Sequence, residues 1–205
     1  MEELDKKKLD IIMAECQEFF GVSDIPMPRV GFIYSREEFD KLLGRPTERW
    51  ERAVSRKDGL YFIHSSMIEE LTPHTNKDFW PVVKHEMSHW FYRHVAGVES
   101  GNPRWFNEGL AGVVAEQRRT QKPTPLDEPV VDKYYLYSDA SNYAWGYWMV
   151  KYLLDEFGRE KLIALIKSLT EEEMTKEFFS SQFERNYHFD VTDLQDRVLA
   201  AIIDK

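Results

Sequence analysis

Hydrophobic positions along this chain change their period about halfway. Leu9, Ile12, Cys16 and Phe19 or Phe20 recur at helical spacing, so the first element is a helix of about five turns that stops at Gly21. The prolines of "VSDIPMPRV" favour extended chain after it. "RVGFIY" reads as a strand, and Ser35 with Glu38 forms a capping box that opens the helix "REEFDKLLG", closed by Gly44. "GLYFIHSS", residues 59–66, is a second strand candidate, followed by the polar turn "TPHTNKD". Asp78 is placed to cap a strongly apolar helix in which Trp80, Val82, Val83, Met87, Trp90 and Phe91 recur up to Gly97. After the loop "GVESGNP" comes another helix, "RWFNEGLAGVVAEQRR". The connector "KPTPLDEPVVDKYYLY", residues 122–137, is too polar and too broken by proline for a core element. From Ser141 onward only helical periods remain: "NYAWGYWMVKYLLDEFG", "REKLIALIKSL", "TEEEMTKEFFSSQFERNY" with a Thr170/Glu173 capping box, and "TDLQDRVLAAIID". There is no internal repeat.

Strands and helices first, helices only afterwards, is the pattern of an α+β fold. The expected organisation is one domain, residues 1–205, made of an N-terminal α/β subdomain with a small sheet (about 1–97) and a helical C-terminal subdomain (about 98–205). Composition agrees with a single core: 205 residues, 42% apolar and 14% aromatic, bury enough surface for one globular unit. The net charge of −9 is spread through helical segments rather than gathered in a tail, which argues for a solvated acidic surface and against nucleic acid or anionic membranes as partners. Cys16 is the sole cysteine, so no internal disulfide exists and a buried thiol is expected. "MEELDKKKLDIIM" lacks a signal-peptide pattern and no run approaches the ~18 apolar residues of a membrane span, so the expected location is cytoplasmic.

The candidate chemistry lies in "WPVVKHEMSHWFYRHVAG", residues 80–97, where His85 and His89 are four apart. On a helix such residues differ by about 40° in angle and one turn in height, so both imidazoles converge on one point, where they can hold a zinc ion. Glu86, beside the first histidine, is placed to act as a base toward a hydrolytic water. Two histidines at this spacing also occur by chance on amphipathic helices, and a third ligand discriminates. Glu108 in "RWFNEGLAG" supplies it after eighteen intervening residues, room for the end of one helix, a reversal at "GNP" and the first turn of the next. Gly109 and Ala111 are small enough to let that second helix approach closely.

HEMSH, the eighteen-residue gap and "WFNEGLA" together resemble the gluzincin metallopeptidases: the small peptidase MA-like domains and the catalytic core of the M1 aminopeptidases, whose third-ligand motif has the form W-[LF]-N-E-G-[FL]-A. The resemblance covers roughly residues 30–158. It implies a thermolysin-like catalytic domain with one Zn²⁺ between the two subdomains, held by His85, His89 and Glu108, with Glu86 as general base. "YAWGYWMVKYLLDEFG" is similar to the family's Y-x-x-G segment, which implies that Tyr143 donates a hydrogen bond to the oxyanion. A zinc-dependent hydrolase acting on a peptide or protein substrate follows.

The departures narrow this. The G-x-M-E-N strand motif that anchors a substrate amino terminus in the M1 enzymes is absent, and Glu69 and Glu70 lie too close to His85 to replace its glutamate, so an endopeptidase is expected rather than an aminopeptidase. The strand in 59–66 is the candidate edge for pairing with an extended substrate. Four residues after Glu108 stands Gly112, where some gluzincins carry an aspartate that orients a ligand histidine. His64, His74, His94 and His188 share no ligand spacing and are read as surface or locally bonded. The alternative is a zinc-containing domain of the same fold that binds peptides or a partner without hydrolysis; a purely structural zinc, however, needs neither Glu86 nor Tyr143 and more often has four protein ligands.

Overall fold

The computed structural model describes residues 5–99, 101–117, 122–126, 128–136, 139–169 and 174–203. Its elements in chain order are α1 (Lys6–Phe20), β1 (Val30–Ile33), α2 (Arg36–Leu43), β2 (Ala53–Arg56), β3 (Gly59–Ile63), α3 (Ile68–Leu71), α4 (Phe79–Ala96), α5 (Arg104–Val114), α6 (Val130–Lys133), α7 (Ala140–Ser168), α8 (Lys176–Tyr187) and α9 (Asp193–Ile203). The class is α+β, mostly helical with one three-stranded sheet. None of the helices in the described residues is long and apolar enough to cross a membrane.

Local chemistry accounts for most of the boundaries. Gly21, Gly44 and Gly97 close α1, α2 and α4 in the left-handed conformation that glycine adopts without steric cost. Ser35 Oγ accepts from the Glu38 N–H at 3.1 Å, while the Glu38 carboxylate reaches back to the Tyr34 N–H at 2.7 Å, one residue earlier than the usual box. Asp78 sits at the cap position of α4 but makes no side-chain cap bond; the 3₁₀ turn Asn76–Asp78 runs directly into the helix and replaces the cap. The two helices expected after Ser141 form one element broken at Gly158 (φ 81°, ψ 164°). Thr170 and Glu173 lie outside the described residues; α8 opens at Thr175, whose hydroxyl accepts from the Phe178 N–H at 3.1 Å.

Two expectations are corrected. The sheet order is β1-β3-β2, with β3 parallel to β1 (Val30 beside Leu60) and antiparallel to β2 (Val54 beside Tyr61). The strand in 59–66 is therefore central, with both its edges paired, and it offers no edge to a substrate. The edges are β1 and β2, and β2, the one beside α4, is a four-residue strand whose "AVSR" carries too weak a β signal to read from sequence. The connector at 122–137 does enter the core: Val130, Val131, Tyr134 and Tyr135 are buried, because the short α6 turns its two apolar pairs, four residues apart, to the same side.

The larger apolar cluster draws on α1, β3, α4, α5, α6, α7, α8 and α9. A smaller one, Ile33, Phe39, Ile63 and Ile68, fills the space between the sheet, α2 and α3. Among the glycines of the described residues, the closest approach is between α5 and α7. A Cβ on Gly109 would stand 2.1 Å from the Gly146 carbonyl oxygen, and a Cβ on Gly146 would stand 2.2 Å from that of Trp105, so the two helices meet backbone to backbone.

Candidate metal centre

Along α4 the apolar residues that make it a buried helix also carry His85, Glu86 and His89 inward, and all three are buried. The imidazoles stand one turn apart, and their Nε2 atoms are 3.1 Å from each other. Glu108, in the second turn of α5, brings its Oε2 to 3.2 Å from His85 Nε2 and 3.5 Å from His89 Nε2. The glycine at 109, expected to let α5 approach the HEMSH helix, faces Gly146 instead and beds α5 against α7 without a side chain between them. Among the described residues this is the one His/Cys/Asp/Glu group assembled closely enough to hold a metal ion.

Hydrogen bonds on the far side of each ring decide what the near side offers. His89 Nδ1 is 2.9 Å from Asn107 Oδ1, while Asn107 Nδ2 donates to the Gly101 carbonyl at 3.2 Å. His85 Nδ1 is 3.1 Å from Gln117 Oε1, while Gln117 Nε2 donates to the Pro81 carbonyl at 3.2 Å. A carbonyl only accepts, so each amide must turn its nitrogen to the backbone and its oxygen to the imidazole, and each Nδ1 must carry the proton. In its neutral form each ring then presents an Nε2 lone pair. Two ring nitrogens and a carboxylate oxygen converge on one point, where either a shared proton or a metal ion offsets the repulsion of their lone pairs. Bonds of about 2.0–2.2 Å at tetrahedral angles set ligand atoms about 3.3–3.6 Å apart, close to the separations found. The donor set thus fits a metal ion.

Glu108 is buried, which alone would raise its pKa, yet the charges and hydrogen bonds of the two imidazoles hold its carboxyl well below the usual range. Glu86 goes the other way: burial pushes its carboxyl up to about 7, helped by the negative Glu108 and opposed by His85, Arg93 and the Ser55 backbone N–H. Ser55 belongs to the edge strand β2. Since the Ile63 N–H donates to Arg52 at 2.8 Å, the antiparallel alternation turns the Ser55 N–H away from β3, toward the open edge, and there it meets Glu86. Arg93, two turns after Glu86 on the same face of α4, donates to Ser55 Oγ.

Tyr143 is half-buried in the first turn of α7, and its ring stands edge-on to Trp50 at 6.1 Å between centroids. It lies one turn before Gly146 and so on the side of α7 that faces α5. The triad is brought together with Glu86 beside it, whereas Tyr143 is placed at the start of α7 against Trp50. Of the remaining histidines, His64 is buried, bonded to Ser66 at 2.8 Å and stacked on Tyr34, His74 bonds the Trp50 carbonyl and His94 that of Trp90. Glu69 and Glu70 are exposed on α3.

The residues that orient the ligand histidines were not assigned from sequence. Gly112 offers no side chain, and the outer nitrogens of the two imidazoles meet amide oxygens rather than a carboxylate. Asn107 stands beside Glu108 in the "WFNEGLA" motif and so had a local signal; Gln117, beyond the end of α5, had none. Comparison with protein-family profiles, with curated proteins and with solved structures finds no match to this chain. The candidate site therefore stands on its own geometry.

Proposed function

We propose that the protein is a zinc-dependent peptidase of the gluzincin type, cleaving peptide bonds within peptide or protein substrates, in a thermolysin-like arrangement of a small sheet, the HEMSH helix and a helical remainder. The observation that carries this is the convergence of His85 Nε2, His89 Nε2 and Glu108 Oε2, with a buried Glu86 next to them. Three protein donors with oriented lone pairs suit a catalytic site, in which one position is kept for reactants, better than a closed structural one. Zinc supplies Lewis acidity, polarising a carbonyl and lowering the pKa of water.

The chain's own groups do the rest. A Glu86 carboxylate oxygen takes a proton from the water as its oxygen bonds to the scissile carbonyl carbon, and passes that proton to the amide nitrogen as the C–N bond breaks. The Tyr143 phenol donates to the oxygen that becomes negative in that step. Asn107 and Gln117 hold both imidazoles in the Nδ1–H form throughout. Internal cleavage is favoured because the strand motif that would anchor a substrate amino terminus is missing; acetylating a substrate's amino terminus then leaves its turnover unchanged.

The test is Glu86→Gln, which keeps size and packing. Purified with added zinc, both proteins should carry one zinc per chain by metal analysis, while digestion of a broad peptide library falls about 10²–10⁴-fold in the variant. Equal digestion by both proteins would refute the proposal. A wild type that holds zinc and cleaves nothing would leave a zinc-containing peptide-binding domain instead.

A further inference from the structure

Gln117 lies just past the end of α5, and the turn that carries it is unusual. Glu116 adopts φ 55°, the left-handed region that a side chain with a Cβ rarely occupies, and it does so with a charged residue where glycine would be free of strain. Two backbone bonds close the turn: the Glu116 N–H donates to the Val113 carbonyl at 3.1 Å and the Gln117 N–H to that of Gly112 at 2.9 Å. The Glu116 carboxylate meets Lys84 Nζ at 3.4 Å, and the same ammonium meets Glu15 of α1 at 2.8 Å. Lys84 immediately precedes His85. The end of α5 is thereby tied to α4 at the turn where the first ligand stands.

What this turn delivers is one amide. Gln117 Nε2 donates to the Pro81 carbonyl, four residues before His85, and Gln117 Oε1 accepts from His85 Nδ1. The side chain spans a single turn of α4 and is held at both ends, so the imidazole is fixed in tautomer and in rotation. At Gly112, where an orienting side chain could have come from α5 itself, a Cβ would meet only Tyr147, at 3.5 Å. The helix leaves that position empty and the strained turn after it supplies the acceptor.

We propose that Gln117 is the positioning residue of His85, a neutral hydrogen-bond clamp presented by the left-handed Glu116 turn, and that the hold of the site on its metal depends on it. This rests on reading His85, His89 and Glu108 as the ligands. A partner on the outer nitrogen of a ligating histidine raises the basicity of the inner one and removes the freedom of the ring, and loss of such a partner typically weakens metal affinity 10–100-fold. The Gln117 side chain bonds His85 and the Pro81 carbonyl and neither His89 nor Glu108, so its effect on the triad runs through His85.

Zinc affinity measured by competition with a chromogenic chelator should fall about 10–100-fold in Gln117→Leu, which keeps bulk and deletes the acceptor. In Gln117→Glu, which keeps the acceptor for His85 but gives up the bond to the Pro81 carbonyl, affinity should recover most of that loss. Circular dichroism and the urea midpoint should stay close to wild type in both. Independently of metal, long-range ¹H–¹⁵N spectra of the zinc-free protein should show His85 in the Nδ1–H form, replaced by a tautomer mixture in Gln117→Leu. Unchanged affinity and an unchanged tautomer in Gln117→Leu would overturn the inference. A wild type that takes up no zinc would overturn the metal assignment instead, while the tautomer measurement would still decide the role of Gln117.

Discussion

Helix α4 is held on its two sides by different physics. Toward α5 and α7 the contact is apolar and close: Trp105, Phe106, Leu110, Trp145 and Met149 are fully buried, and the Gly109–Gly146 crossing leaves no room for a methyl group. Toward the sheet, Leu60 and Phe62 of β3 still join the larger cluster, but beyond them, between the sheet, α2 and α3, the apolar cluster is small and hydrogen bonds take over. Arg36 alone donates to the carbonyls of Glu48, Arg49, Glu51 and Leu71 at 2.6–3.1 Å, tying the loop before β2 to α2 and α3. On the first side stand His85, His89 and Glu108, which, to hold a metal ion, must keep three atoms within a few tenths of an ångström of one geometry. On the second side lies Glu86 against β2, whose bond to the Ser55 N–H can be exchanged without moving a helix. Close packing has few alternative arrangements, whereas polar contacts exchange partners with water at little net cost. The difference assigns rigidity to the candidate triad and adaptability to the surroundings of Glu86.

Gly109→Ala should test the rigid side most severely. The new Cβ meets a carbonyl oxygen at 2.1 Å, backbone against backbone, where no side chain is available to give way. Destabilisation should exceed the usual overpacking cost of about 1–3 kcal/mol, read as the loss of a folded baseline or a large drop in urea midpoint together with lost zinc. A fully stable, zinc-loaded Gly109→Ala protein would show that the α5–α7 crossing is looser than its geometry.

Next comes Tyr143→Phe, which keeps the ring against Trp50 and deletes one donor. If the phenol serves the oxyanion, kcat should fall about 10²–10³-fold, roughly 3 to 4 kcal/mol, with KM and zinc content little changed. Tyr147→Phe, one turn further along α7, is the control and should cost far less. Equal small effects would make Tyr143 a packing residue.

On the polar side, Arg36→Leu removes the donors to four carbonyls that water can partly replace. Stability should fall by about 2 kcal/mol, with amide exchange rising in residues 44–52 and not in α5 or α7. Exchange that rises uniformly would erase the distinction between the two sides.

The smallest effect concerns Cys16, at the centre of the large cluster. Burial pushes its thiol from the ordinary 9.0 up to about 12, with Lys84 opposing the shift only in part. A thiol reagent at pH 8 should modify it only after unfolding. The sign of the linkage is that this contribution to stability is complete below pH 9 and is lost as pH rises toward 12. Fast modification of the native protein would mean that the core side opens as readily as the sheet side.

Much of this was legible in the chain. Helical periods placed α1, α2, α4, α5, α8 and α9, the glycine stops at 21, 44 and 97 were where the helices end, and the i, i+4 spacing of His85 and His89 put both rings on one face before any tertiary contact was known. The spacing to Glu108 likewise anticipated a third donor at the same point. These features are local, or depend on one helix reversal, so sequence distance carries them. What only the tertiary structure decided is non-local. Strand order put β3 at the centre and left the edges to β1 and β2, because a central and an edge strand differ in their neighbours and not in their own residues. The burial of Val130 and Tyr134 depended on what packs over α6, and the tautomers of both histidines on amides from Asn107 and Gln117, the latter 32 residues from its imidazole. A side chain's polarity is written in the sequence, but its partner is chosen by the fold, since hydrogen bonds and packing act across space and not along the chain.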